Sequence, residues 1–252
     1  MAGVDYWHSA TDDGGDLYLT RFGLPFERQL QPDNWLPDAW FNRHSRRLRG
    51  TSAIYRTPTK PVDGRSLDLI VRFSRVGQEL PIDTITRDQF THASFNSPFE
   101  EFGAAMELRR ARVGPQRRRI LLKQPLAIYS PGRRVPLWQS GRDAGQMAAK
   151  QARLPGAPLD LHRSYLLVYG WIKGIDVQEA VDRFVVQGSS PVEALRGTVA
   201  EVEAELAEAG WRVIDMKPAH IIVRFGRDGR FRRRREGRLV YALIDYELLE
   251  RL

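Results

Sequence analysis

The sequence has no cysteine and no long apolar run. Without cysteine the chain forms no disulfide and no thiolate metal site. Its longest apolar run, residues 165–172, is far shorter than the roughly 20 residues that cross a bilayer. The first fifteen residues carry acids where a signal peptide needs a basic and then an apolar stretch. We therefore expect a cytoplasmic protein without a membrane span.

Acidic residues are too few to balance the basic ones, which leaves a formal net charge of +8. Many of the arginines fall in two clusters: Arg109, Arg110, Arg112, Arg117, Arg118 and Arg119, and Arg227, Arg230, Arg232, Arg233, Arg234, Arg235 and Arg238. Such clusters are typical of solvated loops and hairpin tips. Nucleic-acid binding through counterion release is the alternative. It is not favoured, because neither cluster interleaves the aromatic residues on which bases stack.

One short segment indicates phosphoryl-transfer chemistry. Residues 215–220 read D-M-K-P-A-H, and Asp245 follows thirty positions later in L-I-D-Y-E. A nucleotide triphosphate must be held by metal ions and cations while a hydroxyl is directed at its last phosphorus. In such a site Asp215 accepts or orients the hydroxyl proton, and Lys217 neutralises the transferring group. Asp245 supplies hard carboxylate oxygens for the metal.

Each of these residues also has an ordinary structural interpretation. Taken singly, Asp215 and Asp245 are equally typical of turn acids, and Lys217 of a surface lysine. His220 is equally typical of a core histidine. The prediction of a site therefore depends on the ordered set and not on any one member.

In this order the residues resemble the protein-kinase-like superfamily, whose catalytic loop reads approximately H-R-D-L-K-P-x-N and whose metal-binding acid lies in a D-F-G turn. Asp215 and Lys217 match the catalytic loop, and Asp245 matches the metal-binding acid. His220 occupies the asparagine position, which holds a second metal ion. The resemblance implies ATP and Mg²⁺ as cofactors, with Mn²⁺ as an alternative because imidazole suits magnesium poorly.

Two departures indicate a compact, atypical member of the superfamily, similar to RIO-type and lipopolysaccharide-kinase-like proteins. Val213 and Ile214 occupy the usual His and Arg positions, and only seven residues follow Asp245. We therefore expect most of the C-terminal lobe to be lacking. The resemblance implies an α+β, two-lobed fold with an antiparallel-sheet N-lobe and a reduced, mainly helical C-lobe.

The predicted organisation has three parts. Residues 1–48 show no clear period and are expected to form an irregular extension packed on the N-lobe. Residues 49–170 are expected to form the N-lobe, a sheet with one helix. Residues 171–252 are expected to form the minimal C-lobe with the catalytic loop. Within it, Ser190 and Glu193 have the spacing of a capping box before an amphipathic helix that leads towards Asp215.

On the nucleotide side, the resemblance places Arg72 where the third strand of a kinase-like lobe carries a phosphate-binding lysine. Its guanidinium keeps the charge but has a planar geometry. The helix predicted to begin after Ser97 offers Glu101 or Glu107 as the ion-pair partner of Arg72. The alternatives are an exposed strand arginine and acids that favour a helix N-terminus regardless of function.

Two further features belong to the predicted nucleotide site. Gly50 is the one glycine of the first turn, where several would let the backbone approach phosphates. Residues 165–171 resemble a hinge strand, in which backbone groups near Tyr169 and Trp171 would bind an adenine edge. A lone turn glycine and an ordinary buried strand are the alternatives.

These observations predict an ATP- and metal-dependent phosphotransferase with an unknown protein or small-molecule acceptor. A pseudokinase, or a nucleotide-binding scaffold without transfer activity, is the alternative. The single Gly50, Arg72 and His220 favour that alternative, because each departs from the catalytic pattern.

Overall fold

The computed structural model describes residues 1–48, 52–80, 93–114, 118–183, 190–226 and 230–252. These residues form both helices and mainly antiparallel strands, as predicted for a chain that combines the two. The chain divides into two compact units, unit 1 (residues 1–103 and 124–171) and unit 2 (residues 104–123 and 172–252). The kinase-like, two-lobed arrangement and the predicted boundaries at residues 48 and 170 remain predictions.

The strands, in chain order, are β1 (Trp7–Ala10), β2 (Asp16–Leu19), β3 (Arg46–Arg47), β4 (Ile54–Pro58), β5 (Asp68–Phe73), β6 (Leu121–Leu122), β7 (Pro125–Ser130), β8 (Leu166–Gly170), β9 (Ile175–Asp176), β10 (Trp211–Val213), β11 (Ile221–Val223), β12 (Tyr241–Leu243) and β13 (Leu249–Arg251). The α-helices are α1 (Glu27–Leu30), α2 (Asp38–His44), α3 (Pro98–Arg110), α4 (Leu137–Ser140), α5 (Ala144–Arg153), α6 (Val177–Arg183) and α7 (Pro191–Glu208). None of the helices in the described ranges is long and apolar enough to cross a membrane.

Unit 1 is built on an antiparallel sheet with the strand order β1-β2-β7-β8-β5-β4-β3. Alternate residues of a strand point to the same face of a sheet. The core is formed in this way by pairs two positions apart, together with a tryptophan from the N-terminal segment: Leu17 and Leu19, Leu69 and Val71, Leu166 and Val168, and Trp35. β5, the strand that carries Arg72, lies inside this sheet between β8 and β4.

The N-terminal segment is more regular than the sequence suggests. β1 and β2 form a hairpin, and β2 pairs with β7. The turn between them is closed by hydrogen bonds between Thr11 and Gly15 and from Gly14 to Thr11, with Gly14 at φ +73°. Each strand has four residues, and β1 is mostly exposed. Strands this short show little periodicity, which explains why the sequence does not reveal them.

The described residues of unit 2 form two small sheets and two α-helices besides the last turns of α3. One sheet has the order β6-β12-β11-β9, and β10 pairs with β13 separately. α7 begins with the predicted capping box, in which Ser190 accepts from the Glu193 amide and the Glu193 side chain accepts from the Ser190 amide. Between β11 and β12, two antiparallel bridges follow one another along the chain, Phe225 opposite Phe231 and then Arg233 opposite Leu239.

Candidate functional site

The segment predicted to be the catalytic loop follows β10 directly. The Ile214 amide donates to the Leu248 carbonyl at 3.1 Å, and this bond continues the β10–β13 pairing. The chain then leaves the strand, with Asp215 in a turn and Lys217 in an extended conformation just before the 3₁₀ helix Pro218–His220. The Lys217 Nζ lies 2.5 Å from the Asp215 Oδ2, with the two side chains 50% and 38% exposed. The acid and the lysine are thus neighbours that solvent or a ligand can reach.

His220 and Asp245 are brought together by strand register. Ile221 of β11 pairs with Leu243 of β12, and the Ile244 amide donates to the His220 carbonyl at 2.9 Å. This arrangement places the His220 Nε2 3.3 Å from the Asp245 Oδ2, although the residues are 25 positions apart. Both side chains are mostly buried. The histidine and the acid to which the sequence analysis assigns the metal therefore lie side by side.

The turn around Asp245 is anchored by Tyr246, which is 1% exposed. Its hydroxyl donates to the Leu243 carbonyl at 2.5 Å and accepts from the Lys123 amide at 2.8 Å. The Glu247 amide donates to the Asp245 Oδ1 at 3.1 Å, which fixes the carboxylate within the turn. A phenylalanine in this place, as in the usual D-F-G turn, would have no hydroxyl to make the two bonds.

Tyr246→Phe is expected to lower the free energy of unfolding by about 1–3 kcal/mol, because it leaves a buried carbonyl and a buried amide without their partner. Urea denaturation of the variant and the wild type measures this change. Tyr55→Phe is the control, since the Tyr55 ring packs against Phe41 and Phe73 while its hydroxyl bonds to no described residue. That variant is expected to change stability by less than about 0.5 kcal/mol. Equal losses in the two variants would contradict an anchoring role for Tyr246.

Unit 1 contains a buried polar cluster at the predicted nucleotide side. Arg72 on β5, Glu101 on α3 and Tyr169 on β8 are 3%, 1% and 0% exposed. The Arg72 guanidinium pairs with the Glu101 Oε2, and the Tyr169 hydroxyl donates to the Glu101 Oε1. Each oxygen of Glu101 thus has a different partner. Because a buried charge is costly unless it is paired and hydrogen-bonded, these three residues depend on one another.

The start of α3 explains which glutamate faces Arg72. The Glu100 amide donates to the Ser97 Oγ at 3.2 Å, and the Ser97 amide donates to the Glu100 Oε2 at 2.7 Å, which together set the first turn. Glu101 then points towards β5 and β8. Glu107 lies almost two turns further along and pairs with Arg251 at an exposed position. Of the two candidates left open by the sequence, Glu101 is the partner of Arg72.

Two backbone amides at the end of the hinge-like strand are bonded within unit 1. The Gly170 amide donates to the Gln124 carbonyl and the Trp171 amide to the Asp68 carbonyl, each at 3.0 Å. The Trp171 ring lies under the Arg56 guanidinium, 4.5 Å from its centre. These amides are already used within unit 1, so the predicted adenine contact through them has no support in this geometry. Gly50 lies outside the described residues.

Asp245 and His220 are the two donors that the sequence analysis assigns to a metal ion. In the described part of the chain, no group of three or more His, Asp or Glu side chains is placed to hold a metal. A nucleotide-borne ion needs fewer protein ligands, because phosphates and waters complete its coordination. Asp245 offers oxygen and His220 offers nitrogen, a set that suits Mn²⁺ better than Mg²⁺. The His220 Nδ1 is buried without a hydrogen-bond partner, so the ring lacks the usual support of a resident metal ligand.

Part of the arginine-rich segment between β11 and β12 is paired with the acidic face of α7. Arg233 lies 3.0 Å from Glu201, and Arg238 lies 3.2 Å from Glu205 and from Glu208. The hydrogen bonds from Arg238 lower the pKa of the Glu208 carboxyl. Charge that is engaged in this way is less available to phosphates. The observation favours a structural role for these two arginines over nucleic-acid binding.

The sequence analysis did not identify the roles of two tyrosine hydroxyls: that of Tyr169 donates to Glu101, and that of Tyr246 anchors the chain next to Asp245. For Tyr169 a signal exists, because the alternation along β8 places it on the same face as Leu167 and Tyr165. For Tyr246 the replacement of phenylalanine in the D-F-G pattern is the signal. Neither pattern identifies the hydrogen-bond partners of the hydroxyl, because those partners include residues distant in sequence.

Comparison with known proteins gives a distant likeness among solved structures and no family. No protein-family model matches this chain. No curated protein matches it either. Among solved structures, WaaP in complex with acyl carrier protein is similar over 94% of this chain and 73% of that one, at 14% sequence identity and a TM-score of 0.38. Both values are too low to assign the chain to a family.

Proposed function

We propose that the chain is a kinase-like phosphotransferase that uses ATP and a divalent metal ion. The observation that carries the proposal is the geometry of residues 215–245. An acid and a lysine lie 2.5 Å apart just before a 3₁₀ helix, and that helix ends at a histidine 3.3 Å from a second acid. This ordered arrangement is what phosphoryl transfer requires of a site whose role is to position groups and neutralise charge.

Each residue has a defined role in this proposal. Asp215 orients the attacking hydroxyl and takes its proton, and Lys217 balances charge on the transferring phosphoryl group. Asp245 and His220 would hold the metal ion, which neutralises phosphate charge when it is bound. Arg72, oriented by Glu101 and Tyr169, would contribute a cation for the nucleotide phosphates. The acceptor is an unknown protein or small molecule.

A nucleotide-binding module without transfer activity is the second candidate. It is favoured by His220, whose Nδ1 is buried without a hydrogen-bond partner and so lacks the support that a metal ligand usually has. Such a module would bind a nucleotide and regulate or hold a partner. The two candidates differ in turnover and not in the fold.

Metal-dependent nucleotide binding tests the site directly. With a non-hydrolysable ATP analogue and Mn²⁺ at about 100 times the dissociation constant, we expect stabilisation of about 3 kcal/mol, seen as a rise in melting temperature. Asp245→Asn should abolish the metal-dependent part of this rise. His220→Asn should shift the preference from Mn²⁺ towards Mg²⁺, because an amide oxygen replaces the imidazole nitrogen.

Glu203→Gln is the matched control for these variants, since Glu203 is an exposed acid on α7 in the same unit. It should respond to nucleotide and metal as the wild type does. A metal-dependent rise that survives in Asp245→Asn would place the metal elsewhere. No rise with either metal in the wild type would remove both candidate functions.

A further inference from the structure

The most exposed large apolar side chain in the described ranges lies on a single helical turn in unit 1. Trp138 of α4 is 81% exposed, and Leu137 beside it is 38% exposed. Pro136 and Gln139 are exposed as well. Four consecutive residues of a helical turn point in different directions, so their common exposure means that the turn projects from the surface. We call residues 136–139 the apolar tip.

The backbone of the apolar tip is held firmly at both ends. Before it, the Val135 amide donates to the His162 carbonyl at 2.7 Å. After it, the Ser140 carbonyl accepts from the Gln78 Nε2 at 2.7 Å, and Gly141 ends the turn at φ +63°. Trp138 is therefore presented to solvent by an ordered turn. Trp138 and the adjacent Leu137 form a contiguous apolar patch, and such patches, unlike single apolar residues, mark interaction sites.

The surrounding sequence is basic. Residues 131–153 hold five Arg and Lys residues and one acid, Asp143, which accepts from the Gln146 amide at the start of α5. Arg133, just before the apolar tip, and Arg153 are exposed and bond to no described residue. The other three basic residues have partners in unit 1: Arg134 with Asp160, Arg142 with main-chain carbonyls, and Lys150 with Glu100. The charge beside the apolar tip thus complements an anionic surface.

Size and shape favour a lipid surface over a protein. A fully buried tryptophan covers about 200 Å², whereas a specific protein interface needs about 800 Å² on each partner. A projecting turn also fits a soft, penetrable surface better than a preformed groove. Tryptophan is enriched at the membrane–water boundary, and nearby arginines are attracted to anionic headgroups.

We propose that the apolar tip docks the protein on an anionic lipid surface, with Trp138 and Leu137 inserted at the level of the headgroups and Arg133 bound to lipid phosphates. This inference goes beyond the proposed phosphotransferase and does not depend on it. The docking places unit 1 at a membrane surface. It involves no membrane-spanning segment.

Sedimentation with lipid vesicles tests the proposal. The full chain is expected to bind vesicles of phosphatidylglycerol and phosphatidylcholine in low salt, and to bind weakly to vesicles of phosphatidylcholine alone. Trp138→Ala should lower the partition coefficient about tenfold or more, because the buried apolar area is lost. Arg133→Gln should weaken binding and reduce its salt dependence.

Trp7→Ala is the matched control, since Trp7 is also exposed, at 44%, but lies on β1 outside the basic segment. It should bind vesicles as the wild type does. Brominated lipids should quench tryptophan fluorescence in the wild type more than in Trp138→Phe, whose melting temperature should be unchanged. Absence of vesicle binding, or equal binding by Trp138→Ala, would overturn the proposal. So would a dimer that Trp138→Ala dissociates, because the apolar tip would then serve self-association.

Discussion

Glu101→Ala is expected to lower the free energy of unfolding by about 3–5 kcal/mol, because it removes the carboxylate that faces a buried guanidinium. Arg72 and Glu101 are 3% and 1% exposed, so solvent cannot replace the lost partner. The Tyr169 hydroxyl loses its acceptor in the same variant. Urea or guanidinium denaturation, monitored by circular dichroism and by tryptophan fluorescence, measures the loss.

Glu107→Ala is the control, because Glu107 lies on the same helix and also pairs with an arginine. Its pair with Arg251 is about half exposed on both sides. Exposed pairs contribute about 0–1 kcal/mol, so this variant should remain close to the wild type. A similar loss from both variants would show that the helix, and not the buried pair, determines the effect.

A double variant separates stability from function in this cluster. Arg72→Met with Glu101→Gln removes both charges while keeping an acceptor for Tyr169, so much of the stability lost in Glu101→Ala should return. The double variant should not bind the nucleotide, because it lacks Arg72, the cation that the proposal assigns to the phosphates. Recovery of both properties would show that Arg72 has a structural role only.

Local sequence signals correctly predicted the parts of the fold that depend on neighbouring residues. The capping box of α7 involves residues three positions apart, and the start of α3 is set in the same way by Ser97 and Glu100. Asp215 and Lys217, two positions apart in the sequence, are also in contact. Such contacts are determined by the geometry of one turn, which the sequence displays directly.

Contacts that depend on strand register require more than local spacing. The sequence offered Glu101 and Glu107 equally as partners of Arg72, and only the packing of α3 against β5 and β8 distinguishes them. The His220–Asp245 contact depends on the pairing of β11 with β12 across a long hairpin. A shift of one residue in that pairing would separate the two side chains.

The structure also limits what the motif alone implies about chemistry. The sequence pattern assigns a hinge to residues 169–171, yet their amides bond within unit 1. The resemblance assigns two metal-binding residues, and they do lie together. The transfer reaction and the mode of adenine binding both remain predictions, and the most informative variant is at Asp215, the acid to which the proposal assigns the proton transfer.

Asp215→Asn is expected to lower the rate of phosphoryl transfer by about 10²–10⁴-fold while leaving nucleotide binding intact, because an amide cannot accept the proton of the attacking group. Asp215 is 38% exposed and lies in a turn, so the substitution should not impair folding. Phosphate release from ATP with Mn²⁺ or Mg²⁺ measures turnover, and the melting shift with an ATP analogue measures binding.

The control for this variant is Glu250→Gln, which also removes an acid 2.5 Å from a basic side chain, that of Arg212, in the same unit. It should retain the turnover of the wild type. If Asp215→Asn turns over ATP as fast as the wild type, the catalytic acid lies elsewhere and the assignment of residues 215–220 is wrong. If the wild type shows a metal-dependent melting shift and no turnover, the chain is the nucleotide-binding module. In the proposal, nucleotide binding depends on Asp245, whereas phosphoryl transfer also requires the Asp215 carboxylate to accept a proton.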